Sequence, residues 1–148
     1  MKLEIMDNGC DFIDDIATTE AECFSEPWSE DAVSDFLSYS YNGALVCIAD
    51  GSFAGYVTYT DICGEVQIAN VATKESIRRC GVGSFLMEAL IEVSEKNGAE
   101  VITLEVRSKN VSAIALYEKY GFVTVGTRKN FYKKPDDDAI LMNLELKG

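Results

Sequence analysis

The 148 residues predict an α+β fold: one mixed, mostly antiparallel sheet flanked by about four helices, in a single domain over 1–148. Three observations predict it. Strand-sized apolar runs follow one another near 43–50, 53–63 and 65–73, divided only by Asp50-Gly51-Ser52 and by Gly64, the tight punctuation of antiparallel neighbours. Helical periodicity lies before and after this meander instead of alternating with every strand, as it would in a doubly wound parallel sheet. A chain of this length with 47% hydrophobic residues and only two prolines fills one sizeable core without a linker.

The elements follow in order. Lys2 to Met6 alternates as a short edge strand, and Phe12, Ile13, Ile16, Ala17, Cys23 and Phe24 recur at helical spacing after it. Pro27 breaks the chain, and Ser29 stands where it caps a second helix carrying Val33, Phe36 and Leu37 on one face. After the meander, residues 82 to 96 place Val82, Phe85, Leu86, Ala89, Leu90 and Val93 on one stripe, with Asn97-Gly98 as the stop. Glu100 to Arg107 reads as a strand, 111 to 120 as a helix ended by Gly121, and 121–132 and 139–147 as two last strands around a charged loop, Lys133 to Asp138, expected to be a solvated turn.

Composition excludes several chemistries. The five cysteines, at 10, 23, 47, 63 and 80, have no Cys-x-x-Cys spacing, and the chain has no histidine. That argues for reduced thiols in a cytoplasmic protein, and against a disulfide framework, zinc and His-dependent nucleophilic catalysis. No metal cofactor is expected. A formal charge of −12 disfavours nucleic acid and anionic membranes and suits a cationic partner, although acidity also serves solubility. No apolar run reaches membrane-spanning length.

One segment points to a ligand. Val71-Ala72-Thr73 ends a strand, and Arg78-Arg79-Cys80-Gly81-Val82-Gly83-Ser84 opens a helix. Glycines let backbone approach a ligand, the first helical turn leaves amides unpaired, and the helix dipole favours an anion there. A Walker loop is excluded because no Gly-Lys-Ser/Thr follows, and a dinucleotide fingerprint because Leu86 stands where a third glycine belongs. In the strand 100–107, Ile102, Leu104 and Val106 share one face, and Thr103, Glu105 and Arg107 the other, so a carboxylate stands in a strongly apolar element. It serves either as an ion-pair partner of Arg107 or another cation, or as a base.

The Arg-x-x-Gly-x-Gly turn resembles the GNAT family of N-acetyltransferases. Leu104-Glu105-Val106-Arg107-Ser108-Lys109-Asn110 and Ala113-Ile114-Ala115-Leu116-Tyr117-Glu118-Lys119-Tyr120-Gly121-Phe122 look like its ribosomal-protein-alanine branch. Cys23 to Ser29, Arg128 to Tyr132 and Asp138 to Met142 are similar to that branch as well, so the resemblance spans nearly the whole chain. It implies acetyl-CoA as co-substrate and a ribosomal protein's N-terminal amine, with alanine first, as acceptor. It further implies Glu105 as base, Tyr117 as the acid that protonates the departing thiolate, and a pyrophosphate held by 78–84. Val71, Ala72 and Thr73 would lie along the pantetheine arm, and Asn110 would touch the coenzyme as well as cap its helix.

Substrate is expected between Pro27-Trp28 and the last hairpin with Asn130 and Tyr132. Phe131 stands where the family often has a first tyrosine, and Cys80 where a basic or polar residue is common. A monomer or weak dimer is expected. The rival readings are acetylation of a polyamine, lysine side chain or other small amine, and an acyl-CoA-binding module without catalysis.

Overall fold

The computed structural model describes residues 1–146. A seven-stranded sheet runs in the order β1-β2-β3-β4-β5-β7-β6: β1 Leu3–Met6, β2 Asn42–Ala49, β3 Ser52–Ile62, β4 Glu65–Thr73, β5 Val101–Arg107, β6 Val123–Tyr132 and β7 Asp137–Glu145. The helices are α1 Ile13–Cys23, α2 Glu30–Leu37, α3 Val82–Lys96 and α4 Val111–Lys119. Every pairing is antiparallel except β4 with β5. The predicted α+β class and element order hold throughout.

The meander closes as its turn chemistry dictates. Asp50-Gly51 and Cys63-Gly64 all have positive φ, the pair of left-handed residues that a two-residue hairpin turn needs, and they join Ala49 to Ser52 and Ile62 to Glu65. Alternation along β2 sorts residues into two cores. Leu45, Cys47 and Ala49 pack with Val82, Leu86, Met87 and Leu90 of α3 and Tyr117 of α4, whereas Ala44 and Val46 pack with Ile16 of α1 and Val33 of α2. One face of the sheet thus carries α3 and α4, and the other carries α1 and α2.

Three features add to or correct the expectations. Helical structure begins as a 3-10 turn over Gly9–Phe12, before α1. Gly9 is buried where a Cβ would lie 2.6 Å from the Cβ of Ala44, so the chain must pass β2 closely there. The last strand starts at Asp137 rather than 139. Lys133 to Asp136 form the expected exposed turn, but its end is anchored: Asp137 is buried and accepts hydrogen bonds from the Ser108 hydroxyl and the Lys109 amide, while Arg107 donates to the carbonyls of Pro135 (2.8 Å) and Lys133 (2.9 Å). The β5–β7 pairing sets Arg107 opposite Ala139, which brings this loop within its reach.

Candidate active site

β4 and β5 pair only over Glu65–Gln67 and Val101–Thr103. Beyond that the strands part. Val71, Ala72 and Thr73 stand opposite Val57, Tyr56 and Gly55 of β3, and of the three Val71 lines a cleft of about 630 Å³, while Ala72 and Thr73 lie outside its lining. Ile68 to Val71, Leu104 to Arg107, Asn110 and Tyr117 line this cleft, together with Glu20 and Cys23 of α1, Phe24 to Glu26 and Trp28 of the α1–α2 connection, and Phe131 to Lys133 of the last hairpin. A strand edge with unpaired amides, opened by splaying, can accept an extended amide-bearing chain as an added strand.

The turn that opens α3 has the geometry an anion needs. Gly81, the residue before α3, has φ +87° and gives no side-chain cap, and the first helical turn contains no acid. The first backbone bond of the helix is Phe85 N–H to Gly81 O, so the amides of Val82, Gly83 and Ser84 stay free. Arg79 is also left-handed (φ +65°), and Arg78, Arg79 and Cys80 are exposed. Arg78 donates to the Cys23 sulfur at 3.1 Å, which ties the turn to the end of α1. A Cβ at Gly83 would meet Leu116 at 3.3 Å, so glycine lets α3 approach α4. These residues fit a pyrophosphate on chemical grounds: donors, two guanidinium groups and no competing carboxylate.

Glu105 projects away from Leu104 and Val106, which are in the core, into the cleft. Its cation is Arg128 at 3.6 Å rather than Arg107; both side chains are substantially exposed, 35% and 55%, so this pair is weak and leaves the carboxylate available. Arg107 instead stacks its guanidinium 4.5 Å from the centre of the Tyr132 ring. Tyr117 is 7% exposed, with its ring tilted against Phe122 at 5.7 Å. Burial, and to a lesser extent Tyr132, pushes its pKa up to about 12, so the phenol stays protonated through neutral pH. Burial also raises Tyr132, with Glu105 adding to the shift and Arg107 opposing it.

Asn110 caps α4: its side-chain oxygen accepts from the Ala113 amide at 3.2 Å, and it lines the cleft as well. Trp28 packs on Phe36 at 5.0 Å and faces the cleft, so it belongs to both core and site. Asn130 stands at a left-handed position of β6 with its amide bonded to Asp138 at 2.9 Å, outside the cleft lining, and Phe131 and Tyr132 face inward instead. A second cavity of about 590 Å³ shares Ile68, Asn70, Glu105, Phe131 and Tyr132 with the first. It continues over the open face of β4, β5 and β7, past Gln67, Thr103 and Asn143, to Glu65.

Sequence reasoning missed Glu20. Its carboxylate is 1% exposed and accepts from the Trp28 amide (2.9 Å), the Asn70 side chain (2.9 Å) and the Tyr56 hydroxyl. The signal was there: Glu20 falls three and four residues after Ala17 and Ile16, on the buried stripe of α1. Arg128, Asn70 and the Asp137 clamp carried no local signal. Among the described residues no group of three His, Cys, Asp or Glu is placed to hold a metal ion, and no helix is long and apolar enough to cross a membrane.

Residues 13–122 match the model of the Acetyltransferase (GNAT) family. The [ribosomal protein bS18]-alanine N-acetyltransferase of Escherichia coli K12 is 33% identical over 129 residues, 86% of each chain. The crystal structure of the Escherichia coli ribosomal-protein-S18-alanine N-acetyltransferase superimposes with a TM-score of 0.89 at 29% identity, over 99% of this chain and 97% of that one. The structure of Ard1 from Thermoplasma volcanium gives a TM-score of 0.90 at 25% identity over the full length of both.

Proposed function

The chain belongs to the GNAT family of acetyltransferases, and from that premise we propose that it acetylates the N-terminal amine of a ribosomal protein, alanine first, by direct attack in a ternary complex. One observation carries the mechanism: Glu105 and Tyr117 line the same cavity as the free edge of β4 and Asn110, so a proton acceptor and a proton donor flank one space. The relatives named for bS18 alanine support the acceptor. The second cavity also favours a peptide, because a small amine would leave its path past Gln67 and Thr103 to Glu65 unused.

Acetyl-CoA supplies the activated thioester. Arg78, Arg79, Cys80 and the amides of Gly81 to Ser84 hold the pyrophosphate; Val71, Ala72 and Thr73 pair with the pantetheine amides, with Asn110 beside them; and the Val71 amide polarises the thioester carbonyl. Glu105 takes a proton from the amine, directly or through one water, as the C–N bond forms. Tyr117, its pKa pushed up to about 12 and so protonated at neutral pH, gives its proton to sulfur as the C–S bond breaks and regains one through the open cleft. Trp28 and Tyr132, with Asn130 behind them in the hairpin, bound the acceptor side. This reading implies a cytoplasmic protein, since ribosomal proteins are made there.

The test is free-thiol release from acetyl-CoA with an alanine-starting peptide, its N-terminally blocked form and spermidine. Turnover confined to the free-amine peptide is expected. Turnover of spermidine alone overturns the peptide reading within the family, and coenzyme binding without any turnover overturns catalysis.

A further inference from the structure

Glu20 is a carboxylate sealed under the cleft, and no step of the acetyl transfer uses it. Its oxygens are met by three donors from three parts of the fold: Trp28 N–H from the α1–α2 connection, Tyr56 O–H from β3, and Asn70 Nδ2–H from β4. The third contact has a consequence for chemistry. An asparagine amide has two ends of nearly the same shape, one donating and one accepting, and a carboxylate can only accept. Facing Glu20, Asn70 must therefore turn its NH₂ inward, which leaves Oδ1 as the end available to the cavity that Asn70 lines.

The rest of Asn70 is fixed as well. Its amide donates to the Thr58 hydroxyl at 3.1 Å, and that hydroxyl donates to its carbonyl at 3.4 Å, where the β3–β4 register shifts between Thr58 and Tyr59. Thr58 is fully buried, so this anchor does not move with solvent. Among the described residues, Asn70 Oδ1 accepts no hydrogen bond. Asn70 and Glu105 are also two of the polar residues shared by both cavities, so they stand at the junction that the reacting amine must occupy.

We propose that Asn70 Oδ1 accepts a hydrogen bond from the amine of the acceptor substrate, and that Glu20 is the positioning residue that fixes the Asn70 amide in this orientation. An incoming ammonium carries three donors. Glu105 takes one and its proton, Asn70 takes another, and the nitrogen lone pair is thereby aimed rather than left to rotate. The inference rests on reading this cleft as the amine site, and it adds the group that distinguishes an amine from a chain of the same shape without one.

The experiment compares an alanine-starting peptide with its des-amino analogue, in which a propionyl group replaces the alanyl group. The ratio of the analogue's inhibition constant to the peptide KM measures recognition of the amine. In Glu20→Gln the new amide can donate to Asn70 Oδ1, so Asn70 can turn over and present NH₂ to the ammonium. The ratio should fall about tenfold, the loss of one hydrogen bond to a charged group, with the acetyl-CoA KM unchanged. Asn70→Leu keeps two of the bonds of Glu20 and should lower the ratio equally, which covers a Glu20→Gln protein that folds poorly.

A merely structural role lowers the melting temperature and leaves the ratio alone. An unchanged ratio in both variants, or an equal rise in both KM values, overturns the proposal. If the wild type acetylates spermidine and not the peptide, the proposed substrate falls separately, and the spermidine KM in the two variants, against the acetyl-CoA KM, then decides the role of Asn70.

Discussion

Glu20 and Glu105 line the same cleft in opposite condition. Glu20 is 1% exposed and meets three donors, one of them Tyr56, a fully buried tyrosine whose pKa is driven far up by burial and then by the carboxylate itself. Glu105 is about one-third exposed, with a single weak ion pair to Arg128, and Tyr117 across the cavity makes no hydrogen bond through its hydroxyl among the described residues. The two pairs of side chains have the same chemistry. In the first every donor and acceptor is used by the protein, so it fixes geometry. In the second they are left over, and groups left over at a cavity wall are the ones a substrate can use.

The largest effects should come from the unfilled pair. Glu105→Gln keeps shape and removes the base, and kcat should fall roughly a hundredfold or more with the melting temperature held. Tyr117→Phe should lower kcat on the order of a hundredfold. Because burial pushes the pKa of Tyr117 up to about 12, this group causes no alkaline fall in rate through the neutral and mildly alkaline range. The phenylalanine variant should therefore lower the whole pH–rate profile without shifting its limbs. A Tyr117→Phe enzyme with wild-type turnover would reduce Tyr117 to a packing residue and break the contrast.

The filled pair should respond the other way. Tyr56→Phe leaves one carboxylate oxygen of Glu20 short of a donor in a sealed site, at a cost of about 2 kcal/mol, roughly thirtyfold in the folding equilibrium. Chemical denaturation should show that loss, while kcat per folded molecule stays at the wild-type level. Glu20 still reaches Trp28 and Asn70 in this variant.

The contrast also separates what was legible in the sequence from what was not. Strands and helices were legible because period 2 and period 3.6 are local, and so were the two hairpin turns with their glycines. Glu105 stood out as a charge in the apolar strand, and Gly81 and Gly83 as backbone requirements. The shifted boundaries at Gly9 and Asp137 arise from tertiary contacts, with Ala44 and Ser108, that no window of neighbours contains. The same holds for the ion pair of Glu105 with Arg128 and for the bond between Glu20 and Asn70, whose partners lie 50 residues apart. Which carboxylate is satisfied and which is free is a property of the folded pairing alone.

Helix starts repeat the contrast on a smaller scale. α2 is closed: Ser29 accepts from the Ala32 amide at 3.1 Å, and Glu30 and Asp31 lie in its first turn. α3 has neither cap nor acid. Ser84→Asp adds an acid to α3 and should stabilise the protein by about 0.5 kcal/mol through the helix dipole. It should also raise the acetyl-CoA KM about tenfold, because the new charge would repel the phosphate proposed to bind there. Opposite signs of stability and binding in one variant are hard to obtain unless that terminus is kept open for an anion.

The converse change, Ser29→Ala, removes the cap of α2 and should cost about 1 kcal/mol, roughly fivefold in the folding equilibrium, visible in denaturant midpoints. The acetyl-CoA KM should stay unchanged. Phe36 of α2 packs on Trp28, which is proposed to bound the acceptor, so any kinetic change should fall on the peptide. If the coenzyme KM moved instead, the two helix starts would not be independent, and the open end of α3 would owe its geometry to packing on the far face of the sheet rather than to its own missing cap.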